Sequence, residues 1–477
     1  MTFTSFEFLL FFPAVVLVYN LVPSRFRVWY LLLVSYLFYA LMQPVYLLLL
    51  ACVTGVTYLI TRWMDSVPDD RKKHRIMLCG IILVVLPLFF FKYFNFVNES
   101  ILGLFQSVGV NITVPSIELM LPVGISFYTF MAIGYIVDVY NEETEVEKDV
   151  SSVGLFLSFF PIILSGPIER AGNIFPQFKK LAASEPSDIT KGAKLMLWGY
   201  FMKLCVADRL GIYIDAVFSN FSHHNGTSLA FASILYPFQV YGDLGGYSLI
   251  AIGAARCMGI SIIPNFKRPF FSTSMSEFWR RWHMSLINWL TDYIYTPLSF
   301  TLRKWKVWGI VCALMLTFLI SGIWHGAAMT FIVWGLVQGI YLSVEALLQR
   351  RRTSFESKHK LSGKWWYILI CCLWVFVLFA FSQIFGKCAN LDDAFTVIAK
   401  IFTKPGGLFM DATTIGYAMP MLLILMLKDF RDEFFPKKLP LFESSNIVVR
   451  FAAYLLVLFL IINMGVLDAG QFIYFQF

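Results

Sequence analysis

The sequence predicts an all-α, polytopic membrane protein, and three observations carry that prediction. Of its 477 residues 58% are hydrophobic and only 14% are charged, against roughly a quarter charged in an ordinary globular chain. Apolar runs close to the ~20 residues needed to cross a bilayer recur along the whole length. Lys and Arg are concentrated in the short segments between those runs, where topology determinants belong. The net charge of +8 is therefore no nucleic-acid footprint, and no nucleic-acid partner is expected. The eight cysteines lie mostly inside apolar runs without metal or disulfide spacing, and read as small buried hydrophobes.

Taken in order, the runs place spans at 5–22, 28–42, 45–61, 76–94, 121–140, 195–218, 229–256, 307–324, 327–347, 365–386, 413–427 and 451–467, giving about 11–12 transmembrane helices. The first has no basic leader and no small-residue cleavage site, and a second run follows at once, so it reads as a retained helix and not a signal peptide. Segments 62–75, 179–194, 350–364 and 428–438 are rich in Lys and Arg and belong in the cytoplasm. Segments 98–120 and 219–228 contain neither and face outward. Twelve crossings then put both termini outside. The whole of 1–477 reads as one transmembrane domain, with a catalytic core at about 120–350.

Two stretches are not simple spans. The run SSVGLFLSFFPIILSGPIER (151–170) is apolar but contains Pro161, Gly166 and Pro167, which interrupt a helix. A re-entrant segment buried in protein fits the charge balance on either side, and a segment lying on the membrane surface is the alternative. Segment 267–306 mixes Arg and Lys with Trp279, Trp282, Trp289 and Trp305, the signature of an interfacial helix at headgroup level. Ser276 is placed to cap a helix opening at Glu277, on which Trp279 and His283 are neighbours one turn apart and Arg280 adjoins.

Polar groups inside the apolar pattern single out the chemistry. His325 lies in LISGIWHGAAMT (319–330), between two membrane-length runs and among the small residues Ser321, Gly322, Gly326, Ala327 and Ala328. A titratable ring at that depth is costly unless it is paired or lines a wet cavity, so it is a functional candidate; a hydrogen-bonded structural histidine is the alternative. His283 is a second candidate beside guanidinium groups, and a headgroup-facing polar residue is its plain reading. In QVYGDLGGYS (239–248), Gln239, Asp243 and Ser248 interrupt another span. The carboxylate needs a partner, and a histidine or Arg280 is a candidate; tying adjacent helices together is the alternative role. Dinucleotide, Walker-type, H-E-x-x-H and G-x-S-x-G motifs are absent. His283, His325 and Asp243 lack the accompanying Cys or Glu of a zinc site, so no metal is expected.

FWRRWHMSL (278–286), DYIYTP (292–297) and WHG (324–326) together resemble the membrane-bound O-acyltransferase family, in its bacterial branch of alginate O-acetyltransferase type. Supporting matches are KYFN (92–95), LPVGISFYTF (121–130), YIVDVY (135–140), GPI (166–168), the 239–248 cluster and the terminal FIYFQF (472–477). Gly245 stands where the branch reads D-x-S-G-Y-S, and Ile287-Asn288 follows the His-x-Ser-Leu run. The resemblance implies a central tunnel through which an acyl group passes from a cytoplasmic donor to an acceptor. It implies that His325 is the catalytic residue and His283 the second active-site position. It also implies a separate extracytoplasmic SGNH-type acetyltransferase as partner, which completes transfer to a polysaccharide.

Acyl transfer to a hydroxyl calls for a base near neutral pKa, which suits histidine. His325 is the expected general base, with His283 or Arg280 orienting the donor or stabilising the oxyanion. Asp243, Trp279, Trp282, Trp324, Ser321 and Gln239 are the expected supporting or donor-binding residues. No bound cofactor is expected, with acetyl-CoA or another acyl thioester as co-substrate. The expected location is the inner (cytoplasmic) membrane, crossed many times. The readings left open are D-alanyl transfer to teichoic acid, a conduit with proton-relay histidines, and a non-catalytic scaffold for the outer-face enzyme.

Overall fold

The computed structural model describes residues 1–109, 120–164, 166–436 and 441–467, which are overwhelmingly helical with no strand among them. Ser165, part of the 98–120 segment expected to face outward, the end of the basic 428–438 segment and the aromatic run 472–477 lie outside the described residues. Each of the twelve predicted spans coincides with a helix. By length and composition, six of the described helices can cross a membrane: Pro44–Asp65, Asp70–Gln106, Val307–His325, Met329–Lys358, Trp365–Lys387 and Ile447–Met464. Three shorter apolar helices are Phe6–Leu21, Ile125–Tyr140 and Val150–Ile163. The chain is a multi-pass membrane protein.

The described residues group into two compact units. The first comprises residues 1–196 and 250–263. Its helices begin where short polar side chains satisfy the open N–H groups of a first turn: Ser5 accepts from Phe8, Asp69 from Arg71 and Asp149 from Ser151. The Ile125–Tyr140 helix starts from Gly124 at φ +74°, where an added Cβ would sit 2.2 Å from the carbonyl oxygen of Ile163. Only glycine meets both conditions.

The 151–170 stretch resolves here as a helix over Val150–Ser158, a break at Phe159, and a one-turn helix Phe160–Ile163 with Pro161 in its first turn. The N–H of Phe160 donates to Ser35 Oγ at 3.1 Å. Every side chain from 151 to 164 is buried. The surface-lying alternative is thereby excluded: the segment is packed inside protein, where a broken helix can find partners for its freed backbone groups.

The second unit comprises residues 197–249 and 264–477. Its core is a tight hairpin of two long helices, Val307–His325 and Met329–Lys358. Gly322 and Gly335 let the two backbones touch. A Cβ added at Gly322 would lie 2.4 Å from Phe331 O, and one at Gly335 2.4 Å from Phe318 O. Small residues at such a crossing allow the close van der Waals packing that drives association between membrane helices.

Candidate active site

His325 is the last residue of its helix. Gly326 turns extended (φ −161°), and a Cβ there would strike the Phe331 ring at 2.1 Å. His325 is held half-buried at the carbonyl end of a 19-residue helix, where a developing positive charge is favoured by the helix dipole. Its ring packs against two indoles, Trp324 at 4.8 Å and Trp334 at 4.9 Å between centroids.

His283 occupies a different local structure from the one the sequence suggests. Segment 275–290 is two short helices, Met275–Trp279 and Met284–Leu290, with His283 between them in the left-handed region at φ 46°, ψ 48°. A non-glycine residue there cannot continue a helix, so Trp279 and His283 do not share one. The cap is also two residues earlier than expected: Ser274, not Ser276, accepts from Glu277 N.

The strained backbone is held by Asn265. Its carbonyl accepts from Met284 N at 2.8 Å, and its Oδ1 accepts from Ser285 N at 3.2 Å and Ser285 Oγ at 2.9 Å. Its Nδ2 donates to Ser248 Oγ at 3.1 Å. Such over-determination is what allows a conformation costing of order 1–3 kcal/mol to persist. His283 is 2% exposed, and burial pushes its imidazole down to about 4, so the ring is neutral at physiological pH. It can offer one donor and one acceptor but no charge.

The two histidines meet across one indole. Trp324 lies 4.8 Å from the ring of His325 and 6.1 Å from that of His283. Three further predicted residues, Trp279, Trp282 and Ser321, pack in the same part of this unit. Trp279 packs on Phe318 at 5.1 Å and edge-on to Trp334 at 6.0 Å. Trp282 stacks on Phe278 and touches Phe379 at 4.9 Å. Ser321, one turn before His325, is fully buried.

Arg280 does not join this group: it is exposed, whereas its neighbour Arg281 is committed to Glu277 at 2.6 Å and Glu433 at 2.9 Å. Glu433 also holds Arg268 at 2.7 Å. Among the described residues no cluster of three His, Cys, Asp or Glu side chains is arranged to hold a metal ion.

Asp243 has a partner that the sequence reading did not name. Lys203 Nζ lies 2.7 Å from Asp243 Oδ1 and 2.7 Å from Asp208 Oδ1. This correction replaces a histidine or Arg280 as its counter-ion. Lys203 and Asp208 are a missed pair of charges inside predicted span 195–218, where an ionisable residue is itself a signal. Gly246 makes room for the trio, since a Cβ there would sit 3.0 Å from Lys203 N. Gln239 packs close to the backbone at Gly211. Asn265 and Trp334 were also missed: a loop asparagine and an aromatic in an apolar helix carry no pattern that distinguishes them.

Residues 149–384 match the model of the membrane-bound O-acyltransferase family. Over 405 residues the chain is 33% identical to the probable alginate O-acetylase of Azotobacter vinelandii, covering 84% of this chain and 78% of that protein. It is 30% identical over 403 residues to the peptidoglycan O-acetyltransferase of Helicobacter pylori, covering 78% and 73% respectively. To the teichoic acid D-alanyltransferase of Bacillus subtilis it is 27% identical over 322 residues, covering 65% and 78%. All three names describe acyl transfer, and the likeness to the first two extends over most of an all-helical, multi-pass chain. The chain belongs to the membrane-bound O-acyltransferase family and is an O-acyltransferase.

Proposed function

We propose that this enzyme passes an acetyl group from a cytoplasmic thioester, acetyl-CoA or a similar carrier, toward O-acetylation of an extracytoplasmic polysaccharide, with His325 as general base. The observation that carries the reading is the placement of two histidines on one buried indole, Trp324. One histidine is half-buried at a helix C-terminus and the other is buried and neutral. His325 takes the proton of the acceptor hydroxyl as its oxygen bonds to the acyl carbon. The carbon–sulfur bond then breaks, and the thiolate leaves with the electron pair and takes the proton from the imidazolium. The positive charge that His325 carries between these events sits at the negative end of its helix, which favours it. His283 supports this as a neutral hydrogen-bonding group that orients donor or acceptor. Exposed Arg280 attracts an anionic carrier to the entrance.

Alginate or a related glycan as final acceptor, an SGNH-type partner at the outer face and residence in the inner membrane complete the proposal. The acetyl choice follows relatives named for O-acetylation. The test uses membrane vesicles from cells carrying the full chain, supplied with radiolabelled acetyl-CoA, with label followed into the polysaccharide fraction. At matched expression, His325→Ala is expected to lower incorporation by about 10²–10⁴-fold, the usual worth of a general base, and His283→Ala to lower it strongly. Full incorporation by both variants would refute the assignment and favour a scaffold. Solute flux without donor consumption would favour a conduit. Turnover of a D-alanyl donor but not of acetyl-CoA would move the enzyme to the teichoic acid branch.

A further inference from the structure

The wall of the His325 site carries hydrogen-bonding atoms that the protein leaves unused. Trp279 Nε1, Trp334 Nε1, Ser321 Oγ and Gln338 Oε1 are buried and find no partner among the described residues. Their residues are each at least nine-tenths buried. Gln338 is oriented without ambiguity. Its Nε2 donates to Ser382 Oγ at 2.6 Å, and Ser382 Oγ in turn donates to Phe379 O at 2.6 Å. The Gln338 carbonyl is therefore the atom left over, one turn from Trp334 on the same helix face.

These are not scattered packing faults. Trp334 abuts the His325 ring at 4.9 Å, Trp279 abuts Trp334 at 6.0 Å, and Ser321 precedes His325 by one helical turn. Leaving a buried donor or acceptor unmade is costly, a cost that goes unrelieved unless a ligand or water supplies the partner. Two indole N–H groups are pure donors. Beside a base that takes a hydroxyl proton, the group that needs pure donors is the acyl carbonyl, whose oxygen becomes an oxyanion when the tetrahedral intermediate forms.

We propose that the indole N–H groups of Trp279 and Trp334 bind the carbonyl oxygen of the acyl group under transfer and stabilise the oxyanion formed on it. This rests on the assignment of His325 as the base of acyl transfer. As the hydroxyl oxygen bonds to the acyl carbon, the carbonyl π electrons move onto its oxygen, where the two N–H groups receive them. When the carbon–sulfur bond breaks, the carbonyl re-forms and the thiolate departs with the bonding pair. Neither indole gains or loses a proton.

The experiment measures donor-dependent label incorporation from radiolabelled acetyl-CoA in membrane vesicles carrying wild type, Trp279→Phe, Trp334→Phe and His325→Ala. Phenylalanine keeps an aromatic ring and removes the N–H. Each Trp→Phe variant is expected to lower kcat by about 10²-fold, at the lower end of the loss of one oxyanion donor, with KM for acetyl-CoA unchanged within a factor of about three. A rise in KM with kcat intact, or no change in either while His325→Ala is inactive, overturns the indole assignment and leaves the base assignment standing. Full activity of His325→Ala overturns both. If a phenylalanine variant fails to fold, replacing the indole by its benzothiophene isostere, which has sulfur in place of N–H and nearly the same shape, decides the matter. A folded isostere with wild-type kcat refutes the proposal, and one with the same large loss supports it.

Discussion

Replacing Lys203 should damage this protein far more than replacing either of its carboxylate partners. Lys203 is 2% exposed, and it bridges Asp208 Oδ1 and Asp243 Oδ1 at 2.7 Å each. The two oxygens are thus at most twice 2.7 Å, or about 5.4 Å, apart. With all three groups ionised, the trio carries one excess negative charge. Lys203→Met removes the only cation of the trio and leaves two carboxylates facing each other. At an effective dielectric of ~20 their repulsion at that separation is about 3 kcal/mol, and removing one partner of a buried pair typically costs about 3–5 kcal/mol. Asp243→Asn instead leaves one lysine with one aspartate and an amide still able to accept. That change removes the excess charge and should cost about 1 kcal/mol.

The assay is thermal unfolding of the detergent-solubilised full-length protein, read together with the yield of monodisperse material on size exclusion. Lys203→Met is expected to unfold several degrees lower than Asp243→Asn and to be recovered in smaller amount. The triple variant Lys203→Met, Asp208→Leu, Asp243→Leu separates charge from shape. Apolar replacement of a whole buried ionic group is often neutral or stabilising, so the triple variant should recover most of the loss. If Lys203→Met matches wild type, or if Asp243→Asn is the worse of the two, the charge-balance reasoning is wrong.

His283 gives the protein an acid-sensitive term. Burial holds its folded imidazole at about 4, below the ordinary 6.5, so between those values the unfolded chain binds more protons and stability falls as pH falls. From pH 7 to pH 5 the loss is about 2 kcal/mol, to be read as a drop in unfolding temperature that His283→Gln abolishes; an unchanged pH dependence in that variant rejects the assignment. At the helix crossing, Gly335→Ala forces a Cβ to 2.4 Å from Phe318 O and should destabilise by about 1–3 kcal/mol while lowering activity by displacing His325. Gly55→Ala is the control: nothing lies within 4 Å of the added carbon in the Leu47–Asp65 helix. It should be neutral or stabilise by about 0.5–1 kcal/mol, and equal effects at the two sites would show that steric crowding is not what Gly335 avoids.

How much of this was legible depended on whether a feature was written in composition or in conformation. Apolar spans are statements about average polarity, and each of the twelve predicted runs emerges as helix, six of them long and apolar enough to cross a membrane, where a single segment must pair its own backbone groups. His325 stood out because a lone imidazole contrasts with apolar neighbours, and the glycines around it announced a close crossing. The helix carrying His283 was misjudged because periodicity cannot show that a non-glycine residue adopts positive φ. That conformation is enforced by Asn265, a loop residue 18 positions earlier. Lys203 was passed over for a different reason. In span 195–218 it is one of four charged residues, with Asp208, Arg209 and Asp215, and only the demand that Asp243 have a partner would have singled it out.

Polar groups in the second unit are treated in two opposite ways, and the contrast says more about function than either case alone. Around Lys203 a cation and two carboxylates are brought to hydrogen-bonding distance and sealed from solvent, with Gly246 giving up its side chain to let them in. Such investment in pairing is how a membrane-embedded charge is made tolerable, and it marks Asp243 as a structural tie between helices. Around His325 the same interior leaves Trp279, Trp334, Ser321 and Gln338 with unspent hydrogen-bonding atoms. Two of the open groups are the indole donors of Trp279 and Trp334, which lie beside the base, and a transient oxyanion is a partner that such donors serve.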